Sequence, residues 1–98
     1  MQKLRDRRAI IDRAQLHTAA LAVLDRDLPE SDRAQAMLTF YRKALDAGRM
    51  EIRRRFELDQ NGTLAVQGHC FLIDQLVRVI YDVASERIYP AANLTSGE

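Results

Sequence analysis

At 98 residues, with 47% hydrophobic and 30% charged side chains, the chain has the composition of one folded domain and not of a disordered segment. Its formal net charge of +1 argues against the strong basic excess on which proteins that grip the nucleic-acid backbone depend. Its longest apolar stretches, such as residues 19–24, fall far short of the roughly 20 residues that a membrane-spanning helix needs.

The N-terminus begins with charge, and no apolar run or cleavage-site pattern follows Lys3 to Arg8, so no secretory signal is expected. A single cysteine, Cys70, leaves no internal disulfide and suits a reducing compartment. The cytoplasm is the expected location. Charge is unevenly spread: residues 1–58 hold 13 basic and 9 acidic side chains, against 2 basic and 5 acidic in residues 59–98.

Apolar or small residues recur at Ile10, Ala14, His17, Leu21, Leu24 and Leu28 in steps of four and three, the stripe of an amphipathic helix over residues 7–28. Pro29 breaks that pattern, and Glu30-Ser31-Asp32 offers side chains to cap a new helix. A second stripe follows through Ala34, Leu38, Tyr41, Leu45, Gly48, Ile52 and Phe56, predicting a helix over 32–58. Gly48 lies within this stripe, where the close approach of another helix would account for it. Asp59 to Thr63 concentrates turn formers, with Gly62 suited to positive φ and Thr63 to capping. The third stripe is the cleanest: Val66, Cys70, Ile73, Val77, Ile80, Ala84 and Ile88, closed by Pro90 and predicting a helix over 63–89. Its residues, Cys70 included, are the expected core of that helix.

The short turn between the two long helices requires an antiparallel hairpin, across which the first helix packs. The expected architecture is therefore an all-α three-helix bundle forming a single domain over residues 1–90. Residues 91–98 form a tail or linker. No segment sustains the period-two alternation of a strand.

Candidate chemistry is sparse. His69 and Cys70 are the one adjacent pair of good metal ligands, and with His17 they still fall one short of a four-ligand structural zinc site. Asp25-Arg26-Asp27 spells Asp-x-Asp, but residues two apart on a helix point about 200° apart and cannot share an ion. The cluster Arg49, Arg53, Arg54, Arg55 invites a phosphate or RNA reading. Glu51/Arg55 and Arg53/Glu57 are nonetheless i,i+4 pairs of a solvated helix face, as are Asp74/Arg78 and Arg78/Asp82 further on. No nucleic-acid partner and no metal are expected, and no catalytic residue is identified.

Taken together, the run Gly48-Arg49-Met50-Glu51-Ile52-Arg53-Arg54-Arg55-Phe56-Glu57, then Asn61-Gly62, then Asp74 to Ala84 and Tyr89-Pro90 resembles the N-terminal region of the bifunctional PII uridylyltransferase/uridylyl-removing enzymes of bacterial nitrogen sensing. The resemblance covers residues 43–98 well and residues 1–42 as generic helix. It implies a longer parent, with a nucleotidyltransferase domain that uses UTP and Mg²⁺, a phosphohydrolase domain that removes UMP, and glutamine-sensing domains, all beyond Glu98. The family's catalytic motifs would follow the linker at residues 91–98, so none carries onto a position here. The resemblance implies a helical scaffold, inactive alone, whose partners are the rest of the parent and, through it, the PII protein. Arg49, Arg53, Phe56, Asp74, Gln75, Arg78, Tyr81 and Asp82 are the candidate contacts with that remainder. The alternative is a free-standing interaction or dimerisation module, in which Ile73, Val77 and Ile80 are buried between two copies.

Overall fold

The computed structural model describes residues 3–88, Ile88 by its backbone alone. All regular structure among them is helical: α1 (Arg7–Ile10), α2 (Arg13–Leu24), α3 (Glu30–Asp59) and α4 (Gly62–Val83), the last continuing into a π-helical turn over Ala84–Ile88. Tyr89, Pro90 and the tail lie outside the described residues. No helix among those described is long and apolar enough to cross a membrane.

The first predicted helix is divided in two. Ile11 is extended, with φ −158°, and the Asp12 carboxylate accepts the Gln15 amide at 3.2 Å to cap α2. Neighbours in a continuous helix point about 100° apart, yet Ile10 and Ile11 are both buried. The break lets both turn inward, and the cap satisfies a backbone donor that the break exposes. Within α2 the core takes Ala20 and Val23 with Leu16 packed alongside, one residue ahead of the predicted stripe. Ala14 is exposed, and His17, Leu21 and Leu24 are half-buried.

Between α2 and α3, Pro29 occupies the N-cap position without a side-chain cap. Glu30 and Asp32, expected to cap from outside, lie inside the first turn, where their charge favours the positive end of the helix dipole. Arg33 fastens this connection by donating from Nη2 to the Leu28 carbonyl at 3.0 Å. The turn into α4 also differs from expectation. Gln60 takes the left-handed conformation at φ 52°, and the Asn61 side chain accepts the Leu64 amide at 3.0 Å. Gly62, whose φ is not positive, merely opens α4. Asn61 stands three residues before the donor it caps, which displaces Thr63 from that role.

From this turn α4 runs antiparallel to α3, so that Gly48 faces Leu72 and Ile52 faces Gly68. One core cluster holds Ile10, Ile11, Ile52, Leu72 and Leu76. A second joins Ala20 of α2 to Val79 and Val83 of α4. Leu16 and Tyr41 pack against both. Burial raises the Tyr41 phenol above its ordinary pKa, and its ring meets Phe40 edge-on at 5.5 Å between centroids. The stripe predicted for α3 is buried at its middle, Gly48 and Ile52, while Ala34, Leu38 and Phe56 are exposed.

The larger correction concerns α4. Its predicted core stripe faces outward: Val66 is 63% exposed, Ile73 46%, Val77 57% and Ile80 40%, and Cys70 is exposed as well. The buried line is Gly68, Leu72, Leu76, Val79 and Val83. Both lines are apolar with helical spacing, and the contact with α3 decides between them. A Cβ at Gly68 would lie 3.1 Å from Ile52 Cγ1, so the face with glycine is the one that lets the helices close.

The molecule measures 46 × 33 × 17 Å. Its least dimension is less than two helix diameters of about 10–12 Å.

A methyl group added at Gly48 would overlap both Cδ atoms of fully buried Leu72, Cδ2 at 2.8 Å, and press on the Ile10 carbonyl oxygen at 3.0 Å. Gly48→Ala is expected to lower stability by about 1–3 kcal/mol in denaturant unfolding, the strain outweighing alanine's helical preference of about 0.5–1 kcal/mol. Gly68→Ala, which meets only Ile52 side-chain atoms, should cost less. Equal stability of Gly48→Ala and the parent would contradict this packing.

Candidate functional site

The largest concavity is a groove of about 810 Å³ between residues 3–6, the C-terminal part of α3 and the start of α4. Its floor includes Ile10, Ile52, Ala65 and Gly68, and its rim includes Lys3, Arg5, Arg54 and Arg55 with Asp6 and Asp59. Neither histidine nor the cysteine lines it. The arrangement is that of a binding cleft with an apolar base and mixed charge at the lip.

The arginine cluster builds one wall of this groove, and most of its charge is already engaged. Arg55 donates from Nε to Glu51 at 2.7 Å, from Nη1 to the Arg5 carbonyl at 2.6 Å and from Nη2 to the Asp6 carbonyl at 2.7 Å. The rigid guanidinium fork thereby clasps the segment before α1 to α3. Asp6 is held at φ 46°, in the left-handed region that Asp tolerates better than most side chains. Arg54 grips Glu51 with both Nε and Nη2, at 2.9 and 2.8 Å. Arg53 pairs with Glu57 at 3.1 Å, and Arg49 is exposed. Arg7 adds a cation–π contact, its guanidinium carbon 5.8 Å from the Phe71 ring centroid.

The remaining sequence candidates are not gathered at this groove. Phe56 lines it, but Asp74, Arg78, Tyr81 and Asp82 are exposed further along α4, with Gln75 half-buried. Asp74 accepts from Arg78 at 2.9 Å and from Gln75 at 3.1 Å. Levels 64 and 82 on α4 are about 27 Å apart at 1.5 Å per residue, so Phe56, beside the α3–α4 turn, and Asp82 occupy opposite ends of the helix pair.

Among the described residues no three His, Cys, Asp or Glu side chains converge as a metal site requires. His69 and Cys70 are exposed. Asp25 accepts a charged hydrogen bond from Arg87 Nη1 at 2.5 Å, which occupies one member of the Asp-x-Asp pair. The donor set therefore does not fit Mg²⁺ with a nucleotide, and no catalytic step can be built on it. His17 meets Glu86 at 2.7 Å. These two contacts tie the π-helical turn to α2 across more than sixty residues of sequence, and no local spacing signals them.

The two arginines beside Glu51 hold its carboxyl at about 2, well below the ordinary 4.5, by hydrogen bonding foremost. A depressed folded-state value means that the unfolded chain binds the proton more readily. The clasp's contribution is thus full above about pH 4.5 and lost as pH falls toward about 2. Glu51→Gln should lower stability at neutral pH by about 1–2 kcal/mol, the range for a charged hydrogen-bonded group. It should also flatten the acid limb of the stability profile in that window. Urea melts at pH 7 and pH 3 measure both, and an unchanged difference between the two pH values would contradict the clasp.

No protein-family model and no solved structure matches the chain. Curated proteins do. The chain is 39% identical, over its whole length, to 11% of the bifunctional uridylyltransferase/uridylyl-removing enzyme of Novosphingobium aromaticivorans. Over 98% of its length it is 39% and 37% identical to the enzymes of that name from Erythrobacter litoralis and Rhodospirillum rubrum, covering 10% of each. The similarity thus includes residues 1–42, which the quoted motifs left as generic helix. The chain is, along essentially its full length, a homologue of a segment that makes up about a tenth of the bifunctional uridylyltransferase/uridylyl-removing enzymes.

Proposed function

We propose that the chain is the N-terminal helical scaffold of a PII uridylyltransferase/uridylyl-removing enzyme. In this reading it is a three-helix bundle, α2 lying across the antiparallel α3–α4 hairpin, that starts a longer polypeptide and contributes no catalytic group. The observation that carries it is the similarity of the entire chain to a segment of enzymes so named. The donor set among the described residues supports it, since nucleotide and Mg²⁺ would have to be held elsewhere.

Residues 1–90 then act as one domain, and residues 91–98 lead toward the nucleotidyltransferase domain that binds UTP. The PII protein is met by the whole enzyme in the cytoplasm. Arg49, Arg53, Phe56, Arg78, Tyr81 and Asp82, all exposed, are available to contact the rest of the enzyme, as are Asp74 and Gln75. A second reading, a free-standing dimerisation module, is favoured by the outward apolar line on α4.

Uridylyl transfer from UTP to PII protein tests the scaffold, using this chain alone, the enzyme lacking this segment, and the two mixed. The chain alone should be inactive, the shortened enzyme impaired, and the mixture restored toward full activity. A shortened enzyme as active as the whole would overturn the scaffold reading.

A further inference from the structure

We propose that the outward face of α4 is a self-association surface on which a second copy of this chain docks its own α4, antiparallel, about a two-fold axis at the level of Gln75. The exposed line runs Val66, Cys70, Ile73, Val77, Ile80, in steps of four and three. This 3.5-residue average is the spacing that keeps an apolar seam against a partner helix lying nearly parallel or antiparallel. The line lies roughly 120° around the helix from the buried one at 100° per residue. It is a separate seam, and not the edge of the core.

The spacing is also self-complementary. Reversing the helix about position 75 brings Ile73 level with Val77 of the other copy, Cys70 with Ile80, and Val66 with Ala84. Every layer then pairs an apolar or small residue with another, as an isologous interface demands. Charge matches in the same register. Asp74 and Arg78, paired with each other at 2.9 Å within one chain, flank the seam close to the axis. Each Asp74 then comes within about 3 Å, along the axis, of the level of the second copy's Arg78, so acid and base alternate across the two-fold. The helix carrying the seam is already held by α2 and α3, so docking need not order it first. The proposal does not rest on the scaffold reading.

Sedimentation equilibrium of the 98-residue chain from micromolar to millimolar concentration tests it. The mass should rise from 11.2 kDa to twice that value. Val77→Glu, at a position already exposed, should return it to the monomer with an unchanged circular-dichroism spectrum and melting temperature. Orientation is read by oxidation: Ile80→Cys should give a covalent dimer through the native Cys70, and the parent chain should give none. A monomer at every concentration would overturn the proposal and leave this face to other parts of a longer polypeptide. A dimer indifferent to Val77→Glu, or one that crosslinks through Cys70 alone, would overturn it equally.

Discussion

The close contact between α3 and α4 fixes the rest of the molecule. At Gly48 against Leu72, and at Gly68 against Ile52, each glycine receives a branched side chain of the other helix with no room for a Cβ of its own. Two such sites, reciprocal and four residues apart on each helix, fix both register and rotation. Once α4 is rotated to present Gly68, the groove beside α3 is filled by Leu72 and Leu76, and α2 can settle on Val79 and Val83. The same rotation leaves a second apolar line in water. That line exists because a layer 17 Å thick cannot enclose every side of its central helix.

Electrostatics works at the margins of this packing and chiefly against fraying. The segment before α1 makes few apolar contacts, Leu4 being its one side chain packed on the core. It is kept in place by the Arg55 fork, whose charge is balanced by half-buried Glu51. At the other end, Glu86 and Arg87 hold the π-helical turn to His17 and Asp25 of α2. Exposed ion pairs contribute little each, and these act mainly by choosing where the chain ends lie.

The helical class and the existence of the two long helices were legible in the sequence, because stripes of this length have no competing period. Rotation was not. On α4 two apolar lines share one spacing, and periodicity cannot rank them. The distinguishing signal was Gly68, whose lack of a side chain marks the face of closest approach, just as Gly48 does on α3. The interruption at Ile11 and Asp12 was hidden because Ile10, Ala14 and His17 continue a helical spacing across it. Two adjacent isoleucines followed by Asp, a good N-cap, were the clue. At the candidate site, Glu51/Arg55, Arg53/Glu57 and Asp74/Arg78 were readable because they are local. The carbonyl contacts of Arg55, which shape the groove, join residues about fifty apart and leave no trace in spacing.

The Arg55 fork grips oxygen atoms of the main chain and nothing of the side chains at positions 5 and 6. Those carbonyls are the same whatever residue bears them, so the lip of the groove is free to change its chemistry while its anchor stays constant. Substitution at Arg5 can remake the charge that a ligand or neighbouring domain would meet, with little penalty to folding. Position 6 is freer than most as well, within the limit that its left-handed backbone sets. The molecule thus separates the residues that hold this edge from those that define its surface, an arrangement in which recognition can drift without loss of shape.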